Sequence, residues 1–149
     1  MAKRKMISKT HYKMKSGSTT LDIDLSRFEK QFQDAQFTLD STVMKDMKPY
    51  MPQQTGTFID ITSAQSASLA GSGTVVAAAA PMGRFLYEGK VMVDEQTGSP
   101  WARPGAKKVV TDKDLTYSNP KATPHWFDTA KKNHGKSWVK AVKNIAGGG

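Results

Sequence analysis

Three histidines, His11, His125 and His134, are the side chains here whose ordinary proton affinity suits acid–base work at neutral pH. His125 and Asp128 are three residues apart, so on a helix they would share a face. His134 lies more than two turns further on, and its spacing does not bring it to the same point. As metal ligands these groups would have to converge; as surface or partly packed histidines they need no such arrangement. A nuclease would require a base, a phosphate-binding cation and an acid. His125, Lys131 and His134 can be given those roles, but no motif imposes them. Arg84 and Glu88, four apart, read equally well as an ion pair on a short helix. Gly71-Ser72-Gly73 lacks the Lys-Ser that completes a phosphate loop, and no Gly-x-Ser-x-Gly elbow supplies a nucleophile. The chain has no cysteine, which excludes disulfides and thiolate metal sites. The expectation is a non-enzyme with no catalytic, metal or cofactor-binding residues.

What the sequence does concentrate, between Gly73 and Asp128, is a set of aromatic residues set among glycines, prolines and basic side chains. Phe85, Tyr87 and Trp101 stand near Arg84, Lys90 and Arg103. Aromatics interleaved with cations suit stacking on single-stranded nucleic acid. They suit a subunit contact at least as well, since Trp, Tyr and Arg are enriched there. The second reading is preferred, with Phe85, Tyr87, Trp101 and Arg103 as contact candidates.

The net charge of +9 is unevenly placed. Residues 1–15 hold six Lys or Arg and no acid, and residues 121–149 hold six Lys against Asp128 alone. The stretch between them carries ten basic and twelve acidic residues, so the body is close to neutral and both ends are basic. Basic ends suit a polyanion through counterion release; they also simply keep a protein in solution. The start, MAKRKMISKTHYKMK, has no apolar stretch of the kind a signal peptide needs. The longest apolar run, Val75 to Ala80, is too short to cross a bilayer. Those features lead to the expectation of a protein made and used in the cytoplasm, without a membrane partner.

At 149 residues the chain suits one domain. Residues 1–18 read as a flexible basic arm ending in Ser16-Gly17-Ser18, residues 19–146 as a single domain, and 147–149 as a flexible glycine tail. Leu21, Ile23 and Leu25 alternate with aspartates as in a half-buried strand. Ser26 and Glu29 are spaced as a capping box. Phe28, Phe32, Ala35, Leu39, Val43 and Met47 then recur on one helical face, over about 26–48, until Pro49 and Pro52. Phe58, Ile59 and Ile61 favour a strand, and 63–73 a weak strand or loop. The alanine-rich run 74–80 reads as a buried strand. Pro81 opens a short helix that Gly89 ends. Further strands are expected around Val91 and Val93, at 107–111 and at 115–118. Thr123-Pro124 starts a last helix, with Trp126, Phe127, Ala130, Trp138, Val142 and Ile145 on a broad face and Gly135 as a kink point. The sum is an α+β fold: long N-terminal helix, small and mostly antiparallel sheet with a short inserted helix, and C-terminal helix. The long helix with Trp126, Phe127 and Trp138 is expected to build the core.

Three stretches carry a resemblance: MKPYMPQQTGTF, then VVAAAAPMGRFLYEGKVMVDEQTGSPWARPGAKKV, then ATPHWFDTAKKN with WVKAVKN downstream. Together they resemble the minor capsid protein family of tailed bacteriophages and, more distantly, head–tail joining and tail-completion proteins. The resemblance covers about residues 44–144 and is most specific over Lys90–Lys108 and in HWFD. This chain departs from the family pattern at Met82-Gly83, where Tyr-Ala is usual, and at Glu88, where a second Tyr is usual. What the resemblance implies is a structural virion protein without catalytic residues, assembled in the host cytoplasm and located at the head–tail junction. Its partners would be copies of itself in a ring, a hexamer being the count the resemblance favours, neighbouring portal-side and tail proteins, and phage double-stranded DNA passing through. Arg84, Lys90, Lys107 and Lys108 are the candidates for facing that DNA channel. The competing expectations are a basic nucleic-acid-binding or nuclease domain, and a capsid decoration protein.

Overall fold

The computed structural model describes residues 9–53 and 55–147. Two strands, β1 (His11–Ser16) and β2 (Thr19–Asp24), pair antiparallel across the Gly17 turn. Helix α1 (Ser26–Met47) follows, then a single 3-10 turn at Lys48–Tyr50, where Pro49 interrupts the helical ladder. Helices α2 (Thr57–Leu69) and α3 (Gly83–Glu88) lead into β3 (Lys90–Asp94). Strand β4 (Lys108–Asp114) pairs antiparallel with β3, and α4 (Trp126–Ala146) is the last element. The architecture is α+β, as the order of elements in the sequence implies. The strands form two separate two-stranded ladders in place of one small sheet. Among the described residues, no helix is long and apolar enough to cross a membrane.

The core lies where α1 meets α4. Val43, Met44 and Met47 of α1 join Met51, Ile59, Trp126, Ala130 and Trp138 in one buried cluster, with Leu39 and Phe127 at its margin. Trp126 is fully buried, and its indole N–H donates to the carbonyl of Ala77 at 2.8 Å. Trp138 donates to Asp46 Oδ2 at 2.7 Å. Both indoles thus bury a large ring without stranding the polar N–H.

Several expected elements change. The stretch at Phe58–Ile61 is helical, and α2 runs on to Leu69 through what reads as loop. Its inward Thr62 and Ser66 have partners outside the helix: Thr62 Oγ1 accepts the amide of Ala79, and Ser66 Oγ both accepts from Val76 N–H and donates to Val76 O. Within the run 74–80, the amides of Val76 and Ala79 and the carbonyls of Val76 and Ala77 thus pair with side chains of α2 and α4 in place of a strand ladder. Residues 115–118 are irregular, while β4 continues through the polar 112–114. Helix α4 begins at Trp126, after His125 in the left-handed region, so Thr123-Pro124 precedes the helix. It runs through Gly135 without a break. Ser26 does not cap α1; Leu25 is the cap residue, and Ser26 N–H donates to Asp24 Oδ1 at 2.8 Å. That amide holds the Asp24 carboxyl below its ordinary range. The expected arm through residue 18 is a strand from His11 onward, because Gly17 at φ 59° permits a tight turn there. Residues 1–8 and 148–149 lie outside the described residues, and Gly147 caps α4 in the left-handed region.

Candidate subunit interface

The loop between β3 and β4 is organised by one carboxylate. Asp94 closes β3 with its side chain 1% exposed. Its Oδ1 accepts the amides of Gln96 and Thr97 at 2.9 and 3.2 Å. Its Oδ2 accepts from the amide and Nε of Arg103, both at 3.2 Å. Arg103 Nη2 reaches Asp94 Oδ1 at 3.4 Å and Gln96 Oε1 at 2.7 Å. The guanidinium first, and then the Gln96 amide, hold the Asp94 carboxyl at a pKa of about 2. Fork and carboxylate thus tie the end of β3 to Arg103, nine residues on, and Trp101, 86% exposed, is carried on the segment between them.

Beneath Trp101 lies an apolar groove of about 530 Å³, lined in part by Met82, Phe85, Val91, Met92 and Leu115. Lys108 spans it: Nζ donates to Pro100 O at 2.7 Å and sits 5.7 Å from the Phe85 ring centre. A second apolar groove, about 560 Å³, runs between α1 and α4. Two glycines allow the close approaches behind the first groove. A Cβ on Gly83 would sit 2.5 Å from the carbonyl carbon of Ala78. Gly89 has φ 69°, and a Cβ there would meet Pro124 at 2.7 Å. Gly83 thus stands where there is no room for a side chain.

The expected contact residues separate into two groups. Trp101 is open to solvent, and Phe85 lines the groove beside it. Tyr87 packs edge-on against Trp126 and His125, with ring centres at 4.8 and 4.9 Å, and burial raises its phenol pKa. Arg103 is bound to Asp94 and Gln96 while its side chain stays 52% exposed. Among the basic candidates, Lys90 is paired with Asp114 and Lys108 is bound to the Pro100 carbonyl. Arg84 and Lys107 are exposed. In the sequence Asp94 reads as a strand flank before the turn-forming Glu95–Gly98; its hold on the loop depends on Arg103, nine residues on.

The histidines do not meet. His11 lies 3.8 and 3.5 Å from Asp22 and Asp24 on the β1–β2 hairpin. His125 is 3.6 Å from Glu88. His134 lies 3.3 Å from the Tyr50 hydroxyl and 4.0 Å from Asp46. Among the described residues, no three His, Asp or Glu side chains gather as a metal site would require. No protein-family model matches the chain, and no curated protein or solved structure matches it.

Proposed function

We propose that this chain is a structural subunit of a tailed bacteriophage, closing a ring with copies of itself at the head–tail junction. The observation that carries the reading is the Trp101 loop. A large aromatic side chain stands 86% exposed while a buried carboxylate and an arginine fix the loop that bears it. Such an anchor loses little conformational freedom when a partner covers it, which is what a contact hot spot requires. The phage assignment follows the resemblance, whose most specific stretch, 90–108, spans this loop. Arg84, Lys90, Lys107 and Lys108 are the candidates to face DNA, without base selectivity. Neighbouring connector and tail proteins are the remaining partners.

Virions labelled with an antibody to this chain test the proposal. A label at the head–tail junction is the expected result, and a label spread over the capsid lattice points to a decoration protein. DNA hydrolysis abolished by His125→Ala would replace the structural reading with the nuclease.

A further inference from the structure

Beyond Asp128 the chain has no acidic side chain, and α4 carries Lys131, Lys132, Lys136, Lys140 and Lys143. At about 100° per residue, Lys132, Lys136, Lys140 and Lys143 fall within an arc of about 80°. The buried residues of the helix, Trp126, Ala130 and Trp138, lie on its other side, in the core shared with α1. All four lysines are exposed. Packing thus turns a basic segment into a one-sided row of charges, about 17 Å from first to last.

We propose that this row is a docking surface for the phosphate backbone of double-stranded nucleic acid. It is additional to Arg84, Lys90, Lys107 and Lys108, none of which lies on α4, and it does not depend on the ring. Three observations select the partner. First, the row is not neutralised. Among the described residues no carboxylate makes an ion pair with an α4 lysine, whereas Lys13, Lys90 and Arg103 each have one. Cations also complement the negative end of a helix, but only within its last turn, which accounts for Lys143 alone.

Second, a further copy of the chain has no matching row of acids to offer. Asp40, Asp46 and Asp94 are engaged by the Gly71 and Gly73 amides, Trp138 and Arg103. Asp34, Asp60 and Asp128 stand on three different helices. Third, the surface has the chemistry of a duplex backbone. A single strand calls for aromatic platforms among the cations, and both tryptophans of α4 are buried. A helix lying on a lipid surface inserts its apolar face, and the Trp126, Ala130 and Trp138 side is already in the core. One strand of a duplex presents a phosphate about every 3.4 Å of axis, so the row spans about five of them.

Fluorescence anisotropy of a short mixed-sequence DNA duplex, titrated with the full-length chain, tests the surface. Four neutralised phosphates should make affinity fall about a hundredfold between about 50 and 200 mM salt. Lys132→Gln, Lys136→Gln, Lys140→Gln and Lys143→Gln together should weaken low-salt binding by about tenfold or more and flatten that dependence. Each single change should lower the logarithmic salt slope by about one. Lys15→Gln, Lys30→Gln, Lys45→Gln and Lys113→Gln together remove the same charge from exposed sites elsewhere and should leave most of the affinity. Helical circular dichroism should be unchanged in both sets; the single variants carry the test if the α4 set loses helix. Equal losses in the two sets would reduce the effect to net charge and overturn the surface. So would a wild-type chain that ignores the duplex at low salt, or one that prefers a thymidine single strand or phosphatidylserine vesicles. None of these results touches the ring, which the virion label decides separately.

Discussion

The run 74–80 and the β1–β2 hairpin are opposite solutions to the same problem. The hairpin satisfies its backbone within itself and leaves its apolar side chains uncovered. The run 74–80 has no ladder, yet Ala79 is buried, and the amides of Val76 and Ala79 and the carbonyls of Val76 and Ala77 are met by Ser66, Thr62 and Trp126. Regular hydrogen bonding and burial are therefore separate achievements in this chain. The segment without regular structure is part of the body, and the regular one is its unfinished edge.

The sharpest way to break that contrast is Trp126→Ala. It should destabilise the chain by about 3–5 kcal/mol in thermal or denaturant unfolding, through a large cavity and a lost partner for Ala77 O. Next come the two supports of the same wall. Asp40 is buried and accepts the amides of Gly71 and Gly73 at 2.8 and 3.0 Å. Asp40→Ala should cost about 1–3 kcal/mol by leaving those donors unmet. Gly83→Ala should cost a similar amount, about 1–3 kcal/mol, because the methyl group would strike the Ala78 backbone.

A smaller, local effect belongs to Asp94. Unfolded, its carboxyl takes a proton near the ordinary value of 3.8; folded, only near 2. The unfolded chain therefore binds more protons in between, so stability rises with pH across that window. The contribution is complete above the ordinary value and is lost as pH falls toward 2. Amide resonances of Gln96, Thr97 and Arg103 should titrate with that low midpoint. Arg103→Ala should move the midpoint up; an unmoved midpoint would remove the guanidinium as its cause. Smallest of all, Leu21→Ser in the isolated chain should change unfolding free energy by no more than about 0.5 kcal/mol, as expected of an exposed site.

Much of the fold was legible because it is local. The face at Leu39, Val43 and Met47, the proline at 49, the Gly89 cap and the β3 alternation each declare themselves within a few residues. Phe28 and Phe32 obey the same period but lie exposed, since on α1 the core cluster starts only at Leu39. Helix α2 was hidden because its Thr62 and Ser66 gain their value from partners ten or more residues away. The hairpin carried a readable sign, Tyr12 and Met14 alternating with lysines across Gly17 from Leu21 and Ile23. Of the interface candidates, Trp101 stands open, whereas Tyr87 and Arg103 are engaged by Trp126 and Asp94. Composition cannot separate an aromatic left open to solvent from one packed into its own core.

The hydroxyls of Thr62 and Ser66 give the wall behind the groove an unusual clock. The amides of Ala79 and Val76 are shielded from deuterium only while those hydroxyls remain in place. Exchange at two residues outside any helix or strand thus times the departure of α2 from the body. Ser66→Ala, by freeing Val76, would set that clock running fast without touching a single main-chain ladder.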